Sequence, residues 1–203
     1  MGMLTLGTFL LTGLGWGMLH AFDPDHVAAV AGVSANGKNP KQQLWRFALR
    51  WSLGHGSVIG LIAIAVLLFG MAIPVSFSSY AEHSIALLLI VLGTVALISQ
   101  RYQTRDGSDV SAHRSAIFIG LVHGVAGSAP LLALIPLAHA QHPLIGILYV
   151  VFFSTGVLLA MTSLSGLLMY SMRWCSRVSV KFQRTVRVLF ALFSMGVGVF
   201  LLL

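Results

Sequence analysis

Residues 115–172 read SAIFIGLVHGVAGSAPLLALIPLAHAQHPLIGILYVVFFSTGVLLAMTSLSGLLMYSM and contain no Asp, Glu, Lys or Arg. A helix needs about 20 apolar residues to cross a membrane, so this stretch is long enough for two crossings, with residues 138–143 as the polar break between them. Shorter charge-free stretches lie on both sides of it. Working outward, the sequence predicts six membrane-spanning helices, near residues 3–33, 47–72, 83–100, 115–138, 144–172 and 186–203.

The composition agrees with a membrane protein. The chain has 203 residues, of which 57% are apolar and 8% are charged, against roughly 25% charged residues in soluble domains. So few charges exclude most soluble enzymes, nucleic-acid-binding modules and disordered chains. The single cysteine, Cys175, excludes an intramolecular disulfide and a multi-cysteine metal site. No P-loop is present, and the sequence gives no sign of an ATPase subunit.

The basic residues predict the orientation in the bilayer. All 12 of them fall between predicted spans one and two, three and four, or five and six, or within the first four residues of the span that follows. Positively charged loops stay on the cytoplasmic side, so both termini are expected outside. The sequence thus predicts an all-α, multi-pass protein of the cell membrane with six transmembrane helices. The basic residues are Lys38, Lys41, Arg46, Arg50, Arg101, Arg105, Arg114, Arg173, Arg177, Lys181, Arg184 and Arg187.

The two halves of the chain repeat each other at an offset near 103 residues. Three pairs of segments match in order: Gly17–Phe22 with Gly120–Val125, Trp51–Gly54 with Phe153–Gly156, and Leu92–Gly93 with Met195–Gly196. An odd number of helices per repeat requires the second copy to be inverted in the membrane. We therefore expect a 3+3 inverted repeat, residues 1–100 and 101–203, an organisation typical of secondary transporters. Chance similarity among apolar helices is the alternative interpretation.

A polar segment interrupts the first predicted span: His20-Ala-Phe-Asp23-Pro24-Asp25-His26. Ionisable residues inside a membrane are costly and indicate function by default. Pro24 lacks the N–H that would bond the His20 carbonyl and disfavours helical angles at Asp23. We expect the helix to break here, which would bring Asp25 toward the two histidines and free the His20 carbonyl oxygen.

Imidazole and carboxylate together favour a divalent transition metal such as Ni, Co, Zn, Fe or Cu, and not Mg or Ca, which prefer oxygen ligands. His20, Asp23, Asp25 and His26 are therefore candidate metal ligands. The alternative is structural: Asp23 or Asp25 could cap a helix that starts near His26. Capping alone does not require two histidines.

Two further histidines are candidates for the metal site or its pathway. His55 lies between glycines at the start of the second span, and His123 occupies the repeat position of His20. Each could instead be a hydrogen-bonding residue of the helix core. Ser57 and Ser128 are weaker pathway candidates. The predicted outer loops hold residues that could gather metal but that usually do nothing specific: Glu82, His83, His139 and His142.

The pattern His20-x4-Asp25-His26 resembles the signature of the nickel/cobalt transporter family, and Ser52–Ser57 resembles the family's second motif, which centres on a Gly-His pair. The resemblance implies a membrane metal transporter whose metal site includes His20, Asp25, His26 and His55. The family's later acidic motif is missing, since the corresponding stretch around His123 has no acid. The chain is thus more similar to the short nickel permeases associated with urease maturation.

The expected function is a secondary permease, and not an enzyme, that takes up Ni²⁺ and also Co²⁺, driven by the membrane potential or an ion gradient. The metal is the transported substrate, and we expect no organic cofactor and no nucleic-acid partner. The partners are the bilayer and the metal ion, with a homo-oligomer left open. Two alternatives are a nickel/cobalt efflux transporter and, from another class, a haem-binding electron carrier that uses His20, His55 or His123.

Overall fold

The structure, a computed structural model, describes residues 3–36, 40–70, 75–102, 108–126 and 142–203. These residues form seven helices and no strand. The helices are α1 (Met3–His20), α2 (Pro24–Asn36), α3 (Pro40–Phe69), α4 (Val75–Tyr102), α5 (Ser108–Val125), α6 (Pro143–Val178) and α7 (Val180–Phe200).

The first predicted span is broken, as expected, at the polar segment. Helix α1 ends at His20 and α2 begins at Pro24, because proline cannot donate to the preceding turn but fits the first position of a helix. The expectation of a free His20 carbonyl was wrong, since that oxygen accepts a hydrogen bond from the Asp23 N–H at 3.0 Å. The break is therefore a closed turn between two helices.

Four helices contain segments that are long and apolar enough to cross a membrane, namely α3, α4, α6 and α7. They correspond to the second, third, fifth and sixth predicted spans. The fourth predicted span is described only as far as residue 126 and contains a shorter apolar helix, Ala116–Val125. Together with the broken first span, this supports a membrane protein, while the number of six crossings and their sidedness stay predictions.

The predicted boundaries of two spans were wrong. Helix α4 has 28 residues and begins at Val75, so Glu82 and His83 lie within a helix and not in an outer loop. Helix α7 begins at Val180, and Ser179 is its N-cap and its junction with the 36-residue α6. Charged residues indicate where the chain leaves the hydrocarbon core of the bilayer, and not where a helix ends. A helix of 36 residues is about 54 Å long and therefore extends well beyond a hydrocarbon core of about 30 Å.

Glycines let the helices of the two halves approach closely. Helix α1 packs on α6, and α3 packs on α5. A Cβ at Gly17 would overlap the carbonyl oxygen of Phe153, and a Cβ at Gly120 would overlap the carbonyl oxygen of Trp51. Small residues at such contacts are what membrane helices use to pack, because burial from lipid gives little driving force.

A second pair of glycines makes the reciprocal contacts between the same two pairs of helices. Gly54 faces the backbone of Ile117, and Gly156 faces the backbone of Leu14. Every one of these partners lies 102 or 103 residues from its counterpart in the other half. The contact of α1 with α6 is thus repeated by the contact of α5 with α3.

The contacts between α4 and α7 pair different glycines from the predicted match. Gly93 of α4 lies against the backbone of Ala191, and Gly198 of α7 lies against the backbone of Ala86, whereas Gly196 faces open space. The predicted match of Gly93 with Gly196 was therefore wrong, and Gly93 corresponds to Gly198. A shift of two residues keeps a glycine at the contact between α4 and α7.

The outward surface of the described helices is apolar. Leu61, Leu167 and Leu189 are each more than half exposed, and many other large apolar side chains are exposed with them. Extended apolar surfaces of this kind mark membrane or protein contacts. The interior, by contrast, contains the aromatic side chains Trp51, Tyr149 and Phe153, together with four histidines.

Candidate metal centre

The break between α1 and α2 places His20 and His26 beside His55 of α3. All three side chains are buried, with exposed fractions of 2% or less. Each offers a ring nitrogen, and the three nitrogens lie within 4.8 Å of one another. Three imidazoles that converge at this distance form a group able to hold one metal ion.

The nitrogen pair of His20 and His55 defines the centre of this group. Their Nε2 atoms are 3.3 Å apart. On the other side of its ring, His20 Nδ1 lies 2.8 Å from the Oδ2 atom of Asp23. A carboxylate on one ring nitrogen fixes the orientation of the imidazole and raises its basicity at the other nitrogen. His20 therefore presents Nε2 toward His55 because Asp23 holds Nδ1.

His26 has the same arrangement with its neighbour in sequence. Its Nδ1 atom is 2.9 Å from the Oδ1 atom of Asp25, and its Nε2 atom is buried without a hydrogen-bond partner. Asp23, Asp25 and His26 form a second group of ligand atoms within 4.8 Å. The two groups share His26, so the predicted residues of the first span lie together around the break.

His123 reaches the edge of the cluster from α5. Its Nδ1–H donates to the Ile119 carbonyl at 2.9 Å, so in the neutral ring the other nitrogen, Nε2, carries the lone pair. That Nε2 atom is buried and has no hydrogen-bond partner. The ring centroids of His123 and His26 are 5.4 Å apart, which places the His123 ring beside one of the three converging histidines.

Two aromatic residues cover the cluster, and neither was predicted as part of it. The Trp51 ring stacks on His55 with centroids 4.9 Å apart, and the Phe153 ring stacks on His20 at 5.7 Å. Both rings are fully buried. The sequence contained a signal for these two residues. They align with each other in the predicted repeat, and each lies three residues before a glycine of a helix contact.

The other predicted residues lie elsewhere. Ser57 is exposed and its hydroxyl donates to backbone carbonyls of its own helix, at Leu53 and Gly54. His142 is the N-cap of α6, where its Nδ1 atom accepts from the Leu144 N–H. Ser128 and His139 lie outside the described residues. The structure thus brings His20, Asp23, Asp25, His26, His55 and His123 together, and it does not bring Ser57 to them.

The donor atoms of the cluster are of the kind that transition metals prefer. Four buried imidazoles supply neutral nitrogen ligands, and two carboxylates carry negative charge at the same place. Neutral nitrogen with a few carboxylates suits Ni, Co, Zn, Fe and Cu, which prefer such donors to an all-oxygen shell. In a membrane interior these charges are costly, and a divalent cation would offset the cost.

Comparison with known proteins points the same way. Residues 6–105 match the NicO family model, which is described as a high-affinity nickel-transport protein. The chain is 28% identical over 186 residues to the urease accessory protein UreH of Bacillus sp. (strain TB-90), covering 83% of this chain and 79% of that protein. No solved structure matches the chain significantly. The predicted resemblance to nickel transporters is confirmed, and with it the prediction of a multi-pass cell-membrane protein that is not an enzyme.

Proposed function

We propose that the chain is a secondary permease that carries Ni²⁺ into the cell, since residues 6–105 match the NicO family model of nickel-transport proteins. Co²⁺ is the second substrate that we propose. The observation that carries the proposal is the buried pair of Nε2 atoms on His20 and His55, 3.3 Å apart beside His26.

This spacing suits two ligands of one ion. An imidazole nitrogen lies about 2.1 Å from a divalent transition metal such as Zn²⁺. Two nitrogens 3.3 Å apart would then enclose an angle of about 104° at the metal, which lies between the ideal tetrahedral and octahedral values. The cluster could therefore receive an ion with little movement of the His20 and His55 rings. His26 supplies the third nitrogen.

We propose that the two carboxylates support metal binding indirectly, by orienting the histidines. Asp23 and Asp25 contact the Nδ1 atoms of His20 and His26 at 2.8 and 2.9 Å. In this position they orient the Nε2 atoms toward the proposed metal site and offset part of the double charge of the ion. Loss of such partners typically weakens metal binding by about 10- to 100-fold.

His123 is the next ligand along the proposed path. Its free Nε2 atom is buried beside His26, so an ion could exchange one imidazole for another without regaining a full shell of water. Conduction of this kind requires sites that bind well enough to admit the ion but weakly enough to release it. A histidine without a carboxylate partner, such as His123, fits the weaker role.

The reciprocal glycine contacts support the proposed inverted repeat of residues 1–100 and 101–203. If the two halves are inverted copies, the pair of contacts between α1 and α6 and between α5 and α3 follows from one two-fold axis in the membrane plane. The histidine cluster lies between these two contacts, where His26 of one half lies beside His123 of the other. Substrate sites of inverted-repeat transporters lie at such an interface.

The membrane potential is sufficient to drive the proposed uptake. An inside-negative potential of 100 mV favours inward movement of one charge by about 2.3 kcal/mol. For a divalent ion this is about 4.6 kcal/mol, or roughly three decades of concentration. Uptake against a large gradient would then require no ATP.

The test is nickel uptake by the purified chain in proteoliposomes with an inside-negative potassium diffusion potential. We expect the wild-type protein to accumulate Ni²⁺, and His20→Ala and Asp25→Asn to lower accumulation at limiting metal by about tenfold or more. Competition by Co, Zn, Mn and Fe measures selectivity. The matched control is His142→Asn, which changes an exposed histidine and keeps a good helix cap.

Three results would contradict the proposal. Equal accumulation by wild type and His20→Ala, at equal amounts of reconstituted protein, would remove the histidine cluster from the path. Nickel tolerance conferred on cells that accumulate less metal would reverse the direction and make the chain an exporter. A Soret band in the purified protein would favour the haem-binding alternative.

A further inference from the structure

A cavity of about 600 Å³ lies against the histidine cluster. Its walls come from the break between α1 and α2, from the first third of α4 and from the last turns of α7. His20 lines the cavity, and so do three of the chain's five acidic residues, Asp23, Asp25 and Glu82. The cavity is therefore the space that a cation would occupy next to the proposed site.

The acidic side chains and the histidines at the cavity differ in how exposed they are. The histidines are almost fully buried, whereas the side chains of Asp23 and Asp25 are 35% and 20% exposed. Glu82 is also partly exposed. The acidic side chains are thus more accessible than His20 in the wall of the cavity.

Glu82 differs from the two aspartates because no hydrogen bond or ion pair occupies it within the part of the chain that the structure describes. Asp23 and Asp25 each hold a histidine, and their charge already orients a ring. Glu82 lies inside the apolar segment Ser79–Ile98 of α4, where a lone carboxylate is costly and marks function by default. Its charge is available to the cavity.

The size and walls of the cavity suit a hydrated ion. Six waters at about 30 Å³ each occupy about 180 Å³, so an ion with its first hydration shell fits with room to move. Apolar side chains form the remaining wall, including Ile85, Phe193 and Phe200. Low-dielectric walls focus the field of the lining charges and raise the local concentration of the opposite ion.

We propose that Glu82 is a loading residue, which holds the hydrated divalent cation in this cavity before the ion loses water to His20, His26 and His55. The proposal rests on the proposed transport function and deepens it. Glu82 acts on the capture of the ion, while the histidines determine how tightly the dehydrated ion is bound.

Glu82→Gln in proteoliposomes tests the proposal, because glutamine keeps the size and removes the charge. We expect KM for Ni²⁺ uptake to rise about tenfold, at the lower end of known electrostatic effects on association, with the maximal rate unchanged. Added salt should raise the KM of the wild type more than that of Glu82→Gln, because the variant lacks one of the charges that salt screens while Asp23 and Asp25 remain in both. Glu82→Asp should retain most of the wild-type behaviour.

The matched control is His83→Gln on the same helix, since His83 is exposed and its Nδ1 donates to the Ser79 carbonyl. Equal KM values for wild type and Glu82→Gln at low salt would overturn the proposal. So would an unaltered salt dependence, or a fall in the maximal rate together with the melting temperature, which would indicate a structural role. Failure of wild-type protein to transport nickel at all is a different outcome and would overturn the proposed function itself.

Discussion

The two halves of the molecule make the same helix contacts but carry different chemistry. Gly17 and Gly120 each fit against the carbonyl of an aromatic residue in the other half. At the end of the first helix, however, His20 is followed by a break with two aspartates and His26, whereas His123 is followed by no acid in residues 124–138. Helix packing and metal chemistry therefore rest on separate sets of residues.

The aromatic residues and the outer charges extend this comparison. The Phe153 ring stacks on His20. Trp51 is the counterpart of Phe153, and its ring centroid lies 5.4 Å from that of His123. Ala86 and Ala191 hold equivalent contacts in the third helices. Glu82 lies four residues before Ala86, and Arg187 lies four residues before Ala191. An acid in one half therefore corresponds to a base in the other. If each of these two residues lies at one mouth of the proposed path, their opposite charges would make the rates of cation entry and exit unequal.

The largest expected effect comes from breaking the contacts that the halves share. Gly17→Ala and Gly120→Ala should each destabilise the fold, because the added Cβ overlaps a backbone carbonyl that cannot move without separating two helices. Overpacking costs typically about 1–3 kcal/mol. Thermal unfolding in detergent measures the loss, and we expect both halves to respond alike.

Gly15→Ala is the control for these two variants. It lies on the same helix as Gly17, but a Cβ there meets no atom within 4 Å. Alanine is the better helix former by about 1 kcal/mol, so this variant should unfold at the wild-type temperature or above it. Equal stability of Gly15→Ala and Gly17→Ala would contradict the close contact between α1 and α6.

A smaller and unequal effect should appear at the two equivalent histidines. His123→Ala should lower nickel uptake by only a few-fold, against about tenfold or more for His20→Ala, because His123 has no carboxylate to raise its basicity. Initial uptake rates at limiting nickel, corrected for the amount of folded protein, give the comparison. If both variants lost uptake to the same degree, the two halves would contribute equally to binding.

The smallest effect is expected at Arg187, whose Nε is buried without a hydrogen-bond partner among the described residues. Removal of this positive charge should make return of the metal easier. Vesicles that contain the Arg187→Gln variant and are preloaded with nickel should thus lose the metal about twofold faster than wild-type vesicles. The effect is modest because only one partly exposed charge changes. Arg184→Gln, an exposed change one turn earlier, is the control, and efflux equal to wild type in both variants would remove Arg187 from the comparison.

Much of the candidate site follows from sequence because it depends on local chemistry. Pro24 dictates a break wherever it falls within a helix, and a break between His20 and His26 gathers the residues on either side of it. The apolar stretches likewise predict where α3, α4, α6 and α7 cross a membrane. Both inferences rest on neighbours within a few residues, which the sequence displays directly.

What the sequence could not supply depends on contacts between distant helices. It could not show that Asp23 and Asp25 contact the Nδ1 atoms of the histidines, because that requires the turn geometry between α1 and α2. Nor could it show that α4 continues through Glu82, since a charge ends an apolar run without ending a helix. The register of Gly93 with Gly198 was also hidden, because glycine occurs at both 196 and 198 and only the contact distinguishes them.

The junction at Ser179 has a mechanical consequence. One extended residue joins α6 to α7, and its hydroxyl caps the second helix at the Lys181 N–H. Such a short joint leaves the two helices little freedom to move apart. Because α6 carries Phe153 against His20 and α7 lines the cavity, we expect a tilt of this helix pair that uncovers His20 also to change the volume of the cavity.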